Sequence, residues 1–282
     1  MKKIDLHVHT TESDGTYTPA EVVRIAKNAG LTAIAITDHD TNLGYAEAAD
    51  EGEKLGIEVV PGIEISTKYT VAVHILGYYI DGSSPALKEV LDWVVNDRDN
   101  RNRKMAELMA ADGLPVSYDE MVARFGTVIG RPHFGRILIE LGLAKDMQDA
   151  FDRYIEKGQK YYLPRTIMPL ERAIGIIKEA GGIPVIAHPF QYRYDDRMLR
   201  ELIEVCMGYG VKGMECRYSG YGEDKVKYLS DLADEYGLVK TGGSDFHGEN
   251  KKHISLGSGI NGNLEVPYSF LEELKKQFAC GG

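Results

Sequence analysis

Six histidines and three carboxylates fall in this 282-residue chain in a pattern that suits divalent-metal chemistry. His7 and His9 end the apolar run IDLHVHT, Ile4–Thr10, one residue apart. Strand side chains alternate faces, so these two imidazoles project the same way. Asp14 follows in SDG, His39 in TDHD and Glu64 in PGIEIS. His74 lies in another apolar run, His188 in AHP, and Asp245 with His247 in GGSDFH. One zinc-type site takes about four protein ligands. Nine donors exceed that and suit two or three divalent ions sharing a bridging carboxylate. Mixed nitrogen and oxygen donors favour manganese, iron or zinc over calcium or magnesium alone. Ions so held activate water near neutral pH.

The elements that must position these groups alternate between strand and helix patterns. Strands are predicted at Lys3–Val8, Leu31–Thr37, Glu58–Ile65, Val71–Tyr78, Gly182–Ala187, Val211–Cys216 and Leu238–Thr241. The first helix opens at Thr18-Pro19-Ala20-Glu21, a cap followed by proline at the first helical position and an acid. Asn42 is expected to cap the next, which stops at Gly56. Further helices are expected near Leu170–Ala180, Arg197–Met207, Asp224–Tyr236 and Phe270–Phe278. This alternation predicts parallel strands with helices outside, hence an α/β fold of the (β/α) barrel kind, whose sites lie at the C-terminal strand ends. Seven of the nine donors sit at or just beyond such an end.

The middle of the chain breaks the rhythm, with helix patterns at Leu87–Ala111, Tyr118–Phe125, His133–Leu141 and Met147–Lys157 and almost no strand signal. The expected organisation is a barrel portion over 1–96, a helical insertion over 97–165 covering the barrel mouth, and a second barrel portion over 166–282. The run DRDNRNRK, Asp97–Lys104, reads as a solvated helix face.

A net charge of −10 makes the chain a poor grip for long nucleic acid duplexes. It leaves room for a short nucleotide end held by metals and a few arginines. The chain shows no apolar run of membrane-spanning length and no signal-peptide pattern, so a cytoplasmic protein is expected. Cys206, Cys216 and Cys280 lack zinc-finger or CxxC spacing and read as free thiols. No GxSxG elbow, catalytic-cysteine motif or GxxxxGK[ST] loop occurs, which argues against serine or cysteine nucleophiles and against ATP hydrolysis.

Taken together, DLHVHT, SDG, TDHD, PGIEIS, AHP and GGSDFH resemble the PHP family, the polymerase and histidinol phosphatase hydrolases. The resemblance implies a distorted (β/α)7 barrel with a trinuclear metal site. It would place one ion on His7, His9, Glu64 and Asp245, a second on Glu64, His74 and His188, and a third on Asp14, His39 and His247. Some members have histidine where Asp14 stands. Asp5, Asp38 and Asp40 resemble groups that orient imidazoles, although the last two could instead cap a helix. The motif GRPHF, Gly130–Phe134, is similar to one in the branch acting on small nucleotide phosphates, where its arginine and histidine contact substrate. Arg131 offers a planar fork to phosphate and His133 a proton; the competing reading has both coat or cap the helix that Pro132 starts. Arg165 and Arg217 are further phosphate candidates, and Asp245 and His133 are the candidate acid–base groups. The implied activity is removal of the 3′-phosphate from nucleoside 3′,5′-bisphosphates, or trimming of short RNA from its 5′ end. Hydrolysis of a five-membered cyclic phosphate is the alternative. A non-catalytic metal-stapled PHP module, or a deaminase- or amidase-type hydrolase, belongs to other classes. Oligomeric state is not legible in the sequence.

Overall fold

A computed structural model describes residues 2–126, 129–164 and 166–281. The chain divides into two compact units, Met1–Val90 with Ile167–Gly282, and Leu91–Thr166.

The first unit opens with β1 (Lys3–Val8), α1 (Pro19–Asn28), β2 (Leu31–Ile36), α2 (Gly44–Leu55), β3 (Glu58–Lys68) and β4 (Ala72–Tyr78). Thr18 caps α1 through its hydroxyl, and Glu21 reaches back to the Thr18 amide. Removing such a cap costs about 1 kcal/mol. Asn42 does not cap α2, contrary to the sequence expectation. That helix starts at Gly44 after Leu43, which provides no side-chain cap. Gly44 lies so close to Asp38 that a Cβ there would meet Asp38 Oδ2 at 2.8 Å, so the local constraint on the helix start is packing.

The α3 helix (Pro85–Ala111) contains the division between units. It is followed in the second unit by α4 (Tyr118–Phe125), α5 (Arg131–Glu140) and α6 (Met147–Ala150), which runs into a π-helical turn over Phe151–Ile155. Among its described residues this unit has helices, turns and loops and no strand. It has its own apolar core, built from Met105, Met109, Met121, Phe134, Leu138 and Ile155.

The first unit resumes with β5 (Met168–Pro169), α7 (Leu170–Glu179), β6 (Ile183–Ile186), α8 (Asp196–Tyr209), β7 (Gly213–Tyr218), α9 (Glu223–Tyr236), β8 (Val239–Gly243), β9 (Val266–Pro267) and α10 (Tyr268–Gly281). Seven long strands run in the order β8-β7-β6-β4-β3-β2-β1, with β9 beside β1 and β5 beside β3. The sheet curls until its ends meet. Val8 bridges Phe246 in parallel, His7 O accepts from Asp245 N at 2.9 Å, and His9 N donates to Phe246 O at 3.0 Å. Gly243 permits that approach, since a Cβ there would stand 2.4 Å from His7 N. The fold is thus the distorted barrel expected from sequence.

A further expectation is corrected. The strands are not all parallel: β4 runs antiparallel to both β3 and β6. Its link to β3 is a tight turn closed by Tyr69 N donating to Val71 O at 3.0 Å, far too short for a parallel crossover. The reversal has a consequence for the site. His74 lies near the start of β4, opposite Ser66 near the end of β3, so the reversed strand delivers it to the end where the neighbouring strands finish.

Apolar packing on both sides of the sheet holds this frame. Ile4, Leu6, Leu76, Tyr78 and Val185 share a buried cluster with Leu271 and Leu274 of α10. Val22, Val23 and Ala26 of α1 pack with Ile34 and Ile36 of β2 in another.

Candidate metal centre

Glu64 is the hub of the first unit's polar cluster. Its Oε1 lies 2.9 Å from both His74 Nδ1 and His188 Nε2. Its Oε2 lies 3.2 Å from His7 Nε2 and from His9 Nε2, and 3.1 Å from His39 Nδ1. Asp245 Oδ1 stands 3.3 Å from His9 Nε2 and from His247 Nδ1. Asp14 Oδ1 stands 3.1 Å from His247 Nε2. All nine sequence-predicted donors therefore meet. Their ligating atoms form four sets, each within 4.8 Å: His9, Asp14, His39 and His247; His7, His9 and Asp245; His7, Glu64 and His188; and His39, Glu64 and His74.

These residues fit divalent cations on a test independent of motif. Buried polar atoms normally find a hydrogen bond, and leaving one unpaired costs about 1–3 kcal/mol. Yet His9 Nδ1, Asp14 Oδ1, His39 Nδ1, Glu64 Oε2 and His188 Nδ1 are buried with no hydrogen-bond partner among the described residues. The Nε2 atoms of His7 and His9 lie 3.1 Å apart. Nitrogen and carboxylate atoms that crowd together, several of them without a hydrogen-bond partner, are what a set of lone pairs aimed at a cation looks like.

Charge follows the same geometry. Burial opposes a charged His9, but Asp245 and Glu64 outweigh it and raise the imidazole to about 9. His7 is raised well above its ordinary value, with Glu215, Glu64 and Asp245 overcoming burial. His39 falls to about 3, driven down by burial. Burial acts against ionised Asp14, Glu64 and Asp245, yet neighbouring cations and imidazoles hold all three well below the usual carboxylate range. An Asp245 held ionised accepts protons rather than donating them, which counts against it as a leaving-group acid.

The acids expected to orient imidazoles bond to backbone amides and hydroxyls. Asp5 accepts from the backbone amides of His7, Ser244 and Gly257. Asp38 accepts from Thr10 N, Thr10 Oγ1 and Ser13 Oγ, pinning the loop after β1. Asp40 Oδ1 accepts from Ser66 N. The carboxylate that orients an imidazole is Glu215 in β7, absent from the sequence reading. It is fully buried, 3.0 Å from His7 Nδ1, and accepts from His188 N at 2.7 Å. With Nδ1 tied there, His7 presents Nε2 to the cluster. His247 is fixed likewise, its Nδ1 lying 2.9 Å from the Asp245 carbonyl. The signal available for Glu215 was an acid between Met214 and Cys216 inside a buried strand. Lys251 was missed too; it and Tyr218 each donate to Asp245 Oδ2 at 2.6 Å.

Asp40, His188 and Asp245 carry positive φ values of 54°, 22° and 58°. Such backbone costs about 1–3 kcal/mol per residue and concentrates at functional sites.

Arg217 is not brought to the cluster: its guanidinium donates to Glu265 O at 2.5 Å and sits over the Phe270 ring. A register irregularity between Glu215 and Arg217 accompanies this, and Tyr218 reaches Asp245 instead. Arg165 lies outside the described residues. Arg131 and His133 belong to the second unit. There Arg131 pairs with Glu156 at 3.3 Å and lies over the Phe151 and Tyr162 rings. His133 Nδ1 accepts from Gly130 N at 2.9 Å, capping α5, and its ring packs on Phe125.

A barrel that gathers imidazoles and carboxylates around one buried glutamate is the frame of a metal-dependent hydrolase. Residues 5–163 match the PHP domain, and the chain belongs to the PHP family of metal-dependent phosphoesterases. Over 250 residues it is 36% identical to a 3′,5′-nucleoside bisphosphate phosphatase of Chromobacterium violaceum, covering 88% of each chain. It is 34% identical over 247 residues to a 5′-3′ exoribonuclease of Haemophilus influenzae, covering 87% of this chain and 90% of that one. A phosphoribosyl 1,2-cyclic phosphate 1,2-diphosphodiesterase of Eggerthella lenta is 30% identical over 251 residues, with 87% and 94% covered. Among solved structures, an amidohydrolase from Chromobacterium violaceum with bound sulfate and no metal superposes with a TM-score of 0.84 at 33% identity, covering 98% of this chain and 96% of that one.

Proposed function

We propose that this enzyme removes the 3′-phosphate from nucleoside 3′,5′-bisphosphates, and that short RNA 5′ ends are a related substrate. The observation that carries the reading is the complete donor set around Glu64, all nine side chains present and converging, in a chain 36% identical to a bisphosphate phosphatase. Two or three ions of manganese, iron or zinc would be held by His7, His9, Glu64 and Asp245; by Glu64, His74 and His188; and by Asp14, His39 and His247. When bound they supply an activated water and neutralise charge on the phosphoryl oxygens. The chain does the rest. Glu64 joins the donor groups, Glu215 holds His7 in the tautomer that presents Nε2, and Asp245 stays ionised. Arg131 and His133 are retained as phosphate-binding residues, the arginine for its planar donors, and His133 as the candidate proton donor. The net charge of −10 favours short nucleotide ends over duplexes. A cytoplasmic setting suits three cysteines that are all free thiols. Among the described residues, no helix is long and apolar enough to cross a membrane.

Hydrolysis of a five-membered cyclic phosphate is the second reading, favoured by the 30% identity to the cyclic phosphate diphosphodiesterase. Phosphate release from 3′,5′-bisphosphates, short 5′-phosphorylated RNA, cyclic phosphates and histidinol phosphate, with manganese added, separates them. Fastest turnover of a bisphosphate supports the first reading and fastest turnover of a cyclic phosphate the second. Turnover of histidinol phosphate alone would sink both.

A further inference from the structure

Lys251 places an ammonium against the metal centre, and the chemistry above makes no use of it. The two consecutive lysines after the GEN turn behave differently. Lys252 is 76% exposed and pairs with Glu249 at the surface. Lys251 turns inward, its Nζ 2.6 Å from Asp245 Oδ2. That oxygen also accepts the Tyr218 hydroxyl at 2.6 Å. The other oxygen, Oδ1, faces the His7, His9 and His247 nitrogens. Asp245 is thereby split into a metal-facing oxygen and one clamped by two donors.

We propose that Lys251 is a resident counter-cation that shares Asp245 with the metal, stabilising the metal-free site and setting metal affinity below what the donor set alone would give. Removing Lys251 has two effects of opposite sign. It removes an orienting donor, which weakens binding, and it removes a positive charge beside the ions, which tightens binding. The second wins because Tyr218 still holds Oδ2 when the lysine is gone, whereas the described contacts of Asp245 include no second ammonium or guanidinium to replace the charge. By linkage, whatever destabilises the metal-free protein more than the loaded one tightens metal binding by the same factor. The proposal rests on the metal reading of the cluster and not on the choice of phosphate substrate.

The test uses the full chain stripped of metal, titrated with manganese against a competing chelator, with thermal unfolding followed in both states. Lys251→Met is expected to bind manganese about tenfold tighter or more, to melt lower when metal-free, and to match the parent when loaded. Lys251→Arg keeps the charge and stays within about threefold of the parent. Tyr218→Phe removes an orienting donor without changing charge, so its affinity falls; this arm serves if the methionine variant does not fold without metal. Weaker or unchanged binding by Lys251→Met, or tighter binding by Tyr218→Phe, would overturn the proposal. Absence of manganese, iron and zinc binding by the parent protein would overturn the metal reading along with it.

Discussion

The polar residues of the two units invite a comparison. In the barrel unit, imidazoles and carboxylates are buried, crowded and short of hydrogen bonds. In the helical unit, Arg131 and His133 have ordinary partners: an ion pair, two rings, a backbone amide and a phenyl face. The first arrangement is costly as it stands and demands an added cation. The second is already satisfied and would stabilise a helical unit with or without a ligand. Geometry therefore argues strongly for chemistry around Glu64, while a substrate role for Arg131 and His133 has to be won by measurement.

The largest effect is expected at the hub. Glu64→Gln keeps the shape but removes the charge five imidazoles face. A bound ion supplies several kcal/mol to a transition state, so turnover should fall by roughly a thousandfold. Metal content by elemental analysis should drop with it. Retention of full metal content and rate would break the contrast at its strongest point.

Next comes Glu215→Gln. A group that orients a metal-ligating histidine is worth about 10–100-fold in metal affinity or activity. The variant should lose manganese affinity in that range and keep its circular dichroism. Wild-type affinity would make Glu215 a filler of the strand interior.

Glu215 also shows where sequence reasoning stops. Most of the nine donors were legible because they sit in short motifs, seven of the nine at or just beyond a predicted strand end, and strand ends of a barrel converge. Glu215 has no motif; only the folded strand reveals that it faces His7. The antiparallel course of β4 went unread because strand–helix alternation suggests parallel strands, although the few residues between Lys68 and Ala72 leave no length for a crossover. Lys251 was invisible for another reason. One lysine of an adjacent pair turns in and the other out, and composition does not distinguish them.

A pH experiment sharpens the comparison at a moderate scale. In the metal-free protein His9 is raised from 6.5 to about 9. A raised histidine contributes stability that is full below the unfolded value and is lost as pH rises through the folded value. Through this group the metal-free protein should lose thermal stability between about pH 6.5 and 9. Manganese must displace the same proton, so its affinity should climb across that window, with proton release visible by calorimetry in buffers of different ionisation enthalpy. A flat affinity profile would mean His9 does not ligate.

The smallest effects belong to the helical unit, where two substitutions separate a cap from a substrate contact. His133→Ala removes the acceptor for Gly130 N–H and should cost about 1 kcal/mol in urea unfolding. His133→Gln can still accept that amide, as glutamine does in a capping box, so stability should largely return. If His133 only caps the helix, the glutamine variant recovers activity along with stability. If its imidazole serves the substrate, stability returns while kcat/KM stays low. Arg131→Met adds the matching test: a raised KM at near-parental stability marks a phosphate contact, whereas lost stability with unchanged KM leaves Arg131 to the Glu156 pair and the rings beneath it.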